Sequence, residues 1–452
     1  MRDTPEASES SDIVFVLIGA GSTVFTPGLL RDLARSPFSD RFDVRLVDLN
    51  ADAAETMAQL GNRVAEAAGS QMRVSAATDR RRALTGATFV VVTIAVGSAA
   101  GWRADLDVPA QHGVRQTVGD SVGPGGVLRA LRHAPELVAI ARDVEELAPA
   151  AWLVNYSNPL TVNVRAVRRA TAVRAFGLCH GTMHTKTALA AELGVPREEV
   201  HAVFAGLNHL CWLLDLRVGT EDLYPRLREL AAQRTTVGRA ELDAREGLHQ
   251  PVSADLLATF GRYPAPGDRH VSEFFADYLG RPCEGALAWG LQGGLDMTRR
   301  YIDEKSDLWD RLHAQARGEA ELDIGGNQEA ERLVAIAEAL ISGRDLVELA
   351  VNLPNRGAIS NLPAEAVVEV PALVNGSGVT PLAVGELPAS IAAVLTARAQ
   401  QQEITVEAAL TCDPALALEA LVLDPLVPDS RTARAILRDA ALAQPETLGA
   451  FG

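Results

Sequence analysis

The chain has 452 residues, 48% of them hydrophobic and 22% charged, a globular composition that excludes a disordered chain. Its net charge of −16 disfavours nucleic acid and anionic membrane as partners. Four sparse cysteines (Cys179, Cys211, Cys283, Cys412) lack C-x-x-C spacing and point to free thiols in a reducing, cytoplasmic compartment.

Residues 1–11 are polar and acidic and read as a disordered tail, without the basic start and apolar segment of a signal peptide. Ile13–Ile18 (IVFVLI) reads as a strand buried on both faces. A short loop, Gly19-Ala20-Gly21-Ser22-Thr23-Val24-Phe25, leads into a helix with Pro27 in its first turn. Val44–Val47 is a second strand, ending at Asp48, and Asp52–Ala68 a helix. Thr88–Val96 is a third strand, Gly126–Glu146 a helix, and Ala151–Val154 a fourth strand. This alternation predicts an α/β fold, a doubly wound parallel sheet of Rossmann type, over residues 12–200. Residues 201–452 are more helical and more charged, with Gly/Pro breaks at 263–268 and 353–357 and a strand within 364–373. They read as a second, α+β domain for substrate binding and oligomerisation.

Strand, Gly-x-Gly turn, helix, second strand and acidic residue form a dinucleotide-binding arrangement. Gly19 permits the tight turn, and Gly21 lets the backbone approach a pyrophosphate held by free N–H groups of the helix start. Asp48 would accept hydrogen bonds from the ribose and repel a 2′-phosphate, which favours NAD over NADP. The third glycine of the fingerprint is missing, because Val24 stands there. Val96 and Gly97, at the end of the third strand, are expected to line the same cofactor crevice.

Cys179 ends an apolar run, beside His180. Neighbours in an extended strand point to opposite faces, so these two make poor co-ligands. His209, in Gly206-Leu207-Asn208-His209, also follows a strand-like run (Val200–Phe204), with a helix (Lys186–Leu193) between the two. Two strand ends in one sheet can present Cys179 and His209 at the same edge, where a thiolate and an imidazole suit a divalent transition metal.

Six segments now stand in order: Gly19–Pro27 (GAGSTVFTP), Gly119–Gly126 (GDSVGPGG), Asn155–Pro159 (NYSNP), Cys179-His180-Gly181, Gly206–His209 and Asn355–Pro363 (NRGAISNLP). Together they resemble glycoside hydrolase family 4, the NAD- and manganese-dependent glycosidases, from residue 12 to about 430. The resemblance implies that NAD⁺ takes hydride from C3 of a sugar. The C2 proton is then removed with help from a divalent metal, the aglycone is eliminated, water adds and the hydride returns. It implies Mn²⁺ or another divalent ion at Cys179 and His209, and Asn158 as a substrate-binding residue. Asp120 would be the general acid, and Asp268, or else Tyr263, the base at C2.

The residues after the family's cysteine differ between branches, and here they are His180-Gly181-Thr182. His180 resembles branches acting on unphosphorylated α-glycosides, and Gly181 the α-glucuronidase-like branch. An α-D-glucuronide is therefore an expected substrate, with an α-glucoside or α-galactoside as alternatives. Its carboxylate would need cationic partners, for which Arg262, Arg269 and His270 are candidates. The family's habit implies a homodimer or homotetramer. Two other readings stay open at this stage. A sugar or 2-hydroxy-acid dehydrogenase would accumulate NADH, and a non-catalytic NAD or sugar sensor would have no need of the Cys179–His209 pair.

Overall fold

A computed structural model describes residues 12–234, 250–279, 287–324 and 332–452. The expected tail (residues 1–11) and Cys283 lie outside the described residues. Its centre is one thirteen-stranded sheet. Six parallel strands run in the order β3-β2-β1-β4-β5-β6, the Rossmann order. They are β1 (Ile13–Ile18), β2 (Phe42–Val47), β3 (Arg73–Ala77), β4 (Phe89–Val92), β5 (Trp152–Asn155) and β6 (Arg174–Gly177). All six residues of β1 are buried, with Phe15 stacked on Phe89 at 4.8 Å and edge-on to Phe42 at 5.0 Å. Each such side chain contributes roughly 1.5–3 kcal/mol on burial, which is why an uninterrupted apolar hexamer settles at the sheet centre.

The sheet continues without a break across residue 200. The added strands are antiparallel: β7 (Val200–Leu207), β8 (Leu210–Val218), β9 (Glu221–Asp222), β10 (Tyr263–Ala265), β11 (Leu346–Pro354), β12 (Val367–Asn375) and β13 (Gly378–Pro381). The join is slender, a single pairing of Asn352 in β11 with Gly177 at the end of β6. The C-terminal helices turn back, and their Val406, Leu421, Ile436 and Phe451 pack with Leu128, Leu131 and Val162 of the parallel half.

Seven helices accompany the parallel strands, α1 (Thr26–Arg35), α2 (Ala51–Ala68), α3 (Arg80–Leu84), α4 (Ser98–Gln111), α5 (Gly123–Leu147), α6 (Leu160–Ala170) and α7 (Gly181–Leu193), and of these α1, α4, α5 and α7 border the site. The strand expected over Thr88–Val96 is shorter, because it leaves the sheet after Val92. Thr93 then bonds the nucleotide loop, its N–H to Ile18 O at 2.9 Å and its hydroxyl to Gly19 O at 2.9 Å. Apolar residues that periodicity assigns to a strand thus become the loop wall of the crevice. The Asn355–Pro363 motif is a structural knot. The buried Asn355 carboxamide donates to Ile359 O, Leu362 O and Pro363 O and accepts from Ile359 N–H. No described helix is long and apolar enough to cross a membrane.

Candidate active site

The crevice opens at the carboxyl ends of β1, β4, β5 and β6, the place where a doubly wound sheet binds its ligands. Gly19 has φ +88°, and a Cβ there would lie 2.9 Å from the backbone of Thr93 and Ile94, so only glycine fits this turn. Gly21 N–H donates to Asp48 Oδ2 at 2.8 Å, and Asn50 N–H to Oδ1 at 2.9 Å. Asp48 therefore fixes the turn and keeps acceptor capacity on each oxygen, as binding a diol would require. Ser22 Oγ accepts from Phe25 N–H at 3.2 Å. The N–H groups of Thr23 and Val24 make no hydrogen bond to a described residue, and the buried Thr23 hydroxyl has no partner among them. Free donors ahead of a helix N-terminus fit a pyrophosphate. Val24 and Leu49 are 60% and 97% exposed apolar side chains beside this loop, a surface suited to an aromatic base. Val96 N–H donates to His133 Nε2 at 3.1 Å, and the buried His133 is held neutral, its pKa driven well down by burial and by Arg129 and Arg132.

A second constellation sits beyond the cofactor loop. Ligand atoms of Asp120, His209 and His270 lie within 4.8 Å of one another. Asp120 does not cap α5, whose N-cap residue is Val122. Its Oδ1 accepts from Ser121 Oγ at 2.8 Å, and its Oδ2 from Asn158 Nδ2 at 2.8 Å. His209 Nδ1 lies 2.9 Å from Ser121 Oγ and 3.7 Å from Asp120 Oδ1. The His209 and His270 rings are 4.0 Å apart. His209 ends the tight β7–β8 turn with φ +65°, a left-handed conformation that side chains other than glycine rarely adopt.

The electrostatics of this group favour a cation. Burial works to raise Asp120, but His209, His270, Arg129 and the Ser121 hydroxyl outweigh it and hold the carboxyl below its ordinary value. Burial lowers both imidazoles, His209 against the pull of Asp120, and His270 to about 3 with His209 adding to the effect. Neutral imidazoles beside an ionised carboxylate form a metal-ligand set, and His270 Nδ1 is buried without a partner among the described residues.

Cys179, a free thiol as are Cys211 and Cys412, is not a member of that compact set. Burial and the buried Glu369 push its thiol up to about 12, while the Gly181 N–H at 3.5 Å and the Asn208 carboxamide pull the other way. Asn208 also donates to Glu369 Oε2 at 2.9 Å, which ties the β7–β8 turn to the neighbourhood of Cys179.

The profile described as family 4 glycosyl hydrolase matches residues 14–195, and that of the family 4 glycosyl hydrolase C-terminal domain matches residues 204–427. The chain belongs to glycosyl hydrolase family 4. An α-galacturonidase of Bacillus subtilis strain 168 is 33% identical to this family 4 glycosidase over 443 residues, covering 94% of this chain and 96% of the relative. A solved structure of the same species, described as the glucosidase lplD, superposes with a TM-score of 0.84 at 28% identity, covering 95% and 100% of the two chains. A solved 6-phospho-α-glucosidase from gut microorganisms, in complex with NAD and Mn²⁺, superposes at 0.80 with 22% identity over 97% and 99%, a likeness of fold.

Several residues read from the sequence stand elsewhere in this family 4 glycosidase. Asp268 is buried, and its carboxylate accepts from Val252 N–H, Ser253 N–H and Ser253 Oγ at 2.8, 2.8 and 2.7 Å. It anchors the N-terminus of helix Pro251–Phe260. Tyr263 is buried in the core cluster that holds Leu213, Leu257 and Tyr224. Arg262 stacks over the Tyr224 ring at 5.6 Å rather than reaching the site. His180 begins α7 and stacks near Phe25 at 5.8 Å and Tyr156 at 6.1 Å, so it borders the cofactor side. Gly181 has a packing reason: a Cβ there would lie 2.4 Å from Pro266 Cβ.

Sequence reading also missed residues that matter here. Arg129 and Arg132 occupy successive turns of α5 among buried apolar residues, a helical face where a charge signals a partner. Arg132 pairs with the buried Asp105 at 2.6 Å, whereas Arg129 Nε donates to Asn158 O at 3.0 Å. Glu273 Oε1 accepts from three successive N–H groups, Thr117, Val118 and Gly119, at 2.8, 2.8 and 2.9 Å, and so supports the Asp120 loop from behind.

Burial pushes Glu273 up to about 8 against the pull of those three bonds. The folded protein thus holds a proton here that the unfolded chain, with an ordinary glutamate, releases above about pH 4.5. This term lowers stability as pH rises from about 4.5 to about 8, by at most about 1.4 kcal/mol per pH unit. Glu273→Gln keeps the accepting oxygen and removes the titration. Urea midpoints at pH 5 and pH 8 should show a smaller fall for the variant than for wild type. An unchanged difference between the two pH values would show that Glu273 stays ionised.

Proposed function

We propose that this family 4 glycosidase hydrolyses α-D-galacturonides, using NAD and a divalent metal such as Mn²⁺. The site's charge carries the reading: two arginines, Arg129 and Arg269, flank Asp120 without a carboxylate partner among the described residues. The α-galacturonidase relatives support it, at 33% identity for the Bacillus subtilis protein and 33% for that of Thermoanaerobacterium saccharolyticum. The uronate expected from Gly181 is retained, and the sugar moves from glucuronide to its C4 epimer.

When bound, NAD⁺ accepts and returns the hydride at C3, and the divalent cation stabilises negative charge developing on the sugar oxygens. The chain's own residues do the rest. Gly19–Phe25, Asp48, Val96 and Gly97 cradle the dinucleotide. His209, Asp120 and His270 would hold the cation, with the Cys179 thiolate as a further ligand. Asn158, fixed between Asp120 and Arg129, orients a sugar hydroxyl. Asp120, fixed by Ser121 and Asn158, stands where it can exchange a proton with the substrate or help to hold the cation. Asp268 and Tyr263 act as supports of the loop that carries Arg269 and His270. We further propose a nucleotide-binding unit over 12–200 and a substrate unit over 201–452, in a cytoplasmic homodimer or homotetramer.

A panel of nitrophenyl α-galacturonide, α-glucuronide, α-galactoside and α-glucoside, with NAD⁺, Mn²⁺ and reductant, tests the substrate. The α-galacturonide should exceed the neutral sugars in kcat/KM by about 100-fold or more, because neutral sugars leave buried cations unpaired. Equal cleavage of the α-galactoside would replace the uronide reading with a galactosidase.

A further inference from the structure

We infer that Arg129 and Arg269 form the receptor for the substrate's C5 carboxylate, an inference that rests on the uronide reading above. The chain carries more acids than bases, 58 against 42, so an arginine near the site without an acidic partner stands out. Several other buried or half-buried arginines pair with acids, Arg132 with Asp105, Arg165 with Glu403 and Arg332 with Glu348, whereas Arg398 bonds Gln401 Oε1. Arg129 and Arg269 make no ion pair with any described residue.

Each is nonetheless fixed in place. Arg129 reaches the site from α5, and its Nε is held by Asn158 O at 3.0 Å while its two terminal nitrogens stay unengaged. Arg269 stands on the short helix Asp268–Val271, next to His270 of the cation cluster. Its Nη2 donates to Thr117 O at 3.0 Å, its carbonyl accepts from the Thr117 hydroxyl, and its Nε is buried without an acceptor. Burial lowers the pKa of each guanidinium against the pull of nearby carboxyl groups, Asp120 and Asp105 for Arg129 and Glu273 and Asp120 for Arg269, so both are cations partly stripped of water.

Neither makes a direct ion pair, because the neighbouring carboxyl groups are engaged elsewhere: Asp120 by Asn158 and Ser121, Asp105 by Arg132, and Glu273 by three N–H groups. A carboxylate can take two parallel N–H bonds from a guanidinium fork, which a primary alcohol at the same carbon cannot. A uronide therefore completes the site, and a neutral hexoside leaves two desolvated cations unpaired.

The test compares wild type, Arg129→Gln and Arg269→Gln on nitrophenyl α-galacturonide and α-galactoside, with NAD⁺ and Mn²⁺ present. Each variant should lose roughly 100-fold in kcat/KM on the uronide and much less on the galactoside, collapsing the ratio between them. Arg→Lys at either position keeps the charge without the fork and should fall between. Inhibition of the galactosidase reaction by free D-galacturonate, relative to D-galactose, should weaken in parallel. Equal losses on both substrates, in an enzyme whose wild type prefers the uronide, would overturn the receptor alone. A wild-type enzyme that cleaves the galactoside but not the uronide would overturn the reading and the receptor together.

Discussion

Replacing His209 by glycine is expected to abolish turnover while leaving the fold intact. His209 closes the β7–β8 turn at φ +65°, which costs a side-chain-bearing residue about 1–2 kcal/mol that glycine does not incur. Against this gain stand the lost contact with the His270 ring at 4.0 Å and the lost bond to Ser121. The two effects should leave thermal stability within about 1 kcal/mol of wild type. Turnover should fall by at least roughly 1,000-fold, because no other imidazole can take the place between Asp120 and His270. His209→Asn, which tolerates the left-handed conformation, should behave in the same way. Melting curves and kcat measured together decide the matter. A glycine variant keeping a tenth of wild-type turnover would remove His209 from the site.

The second large effect is expected at Cys179. Its thiol, pushed up to about 12 by burial and Glu369, must lose a proton when a cation takes the sulfur. Affinity for Mn²⁺ should then rise about tenfold per pH unit between pH 6 and 9, with one proton released per ion. The neutral state of His209 and His270 over that range adds little to the slope, since burial lowers both. Cys179→Ser should flatten the slope, weaken binding by roughly 100-fold and reduce turnover by roughly 1,000-fold. Titrations followed by the paramagnetic signal of free Mn²⁺ read the affinity without reference to activity. A serine variant with the wild-type slope would take the sulfur out of the coordination.

Local pattern carries the nucleotide half of the fold. An unbroken apolar hexamer, a Gly-x-Gly turn and an acidic residue after the next strand are short-range signals, and β1, the loop and Asp48 stand where they predict. The antiparallel half was less legible, because β7, β11 and β12 join the sheet through pairings far apart in sequence. The same divide runs through the site. His209 could be singled out because it ends a strand-like run, whereas its neighbours in the ligand cluster, Asp120 and His270, come from loops far off in sequence. Asp268 could not be placed from its loop, since its role depends on helix Pro251–Phe260 presenting bare N–H groups to it. Tyr263 turns inward because β10 pairs with β8, which no residue near Tyr263 announces. Arg129 was passed over as one charge in a long helix, and only its place beside Asn158 gives it meaning.

The redox route is tested most directly by cleaving the best α-glycoside substrate in deuterium oxide, with enzyme first stripped of NAD and then reconstituted. Deuterium should enter at C2 of the released sugar, and product should form only once NAD⁺ is restored, without net accumulation of NADH. Cleavage that persists without NAD⁺, or that leaves C2 unlabelled, would contradict it.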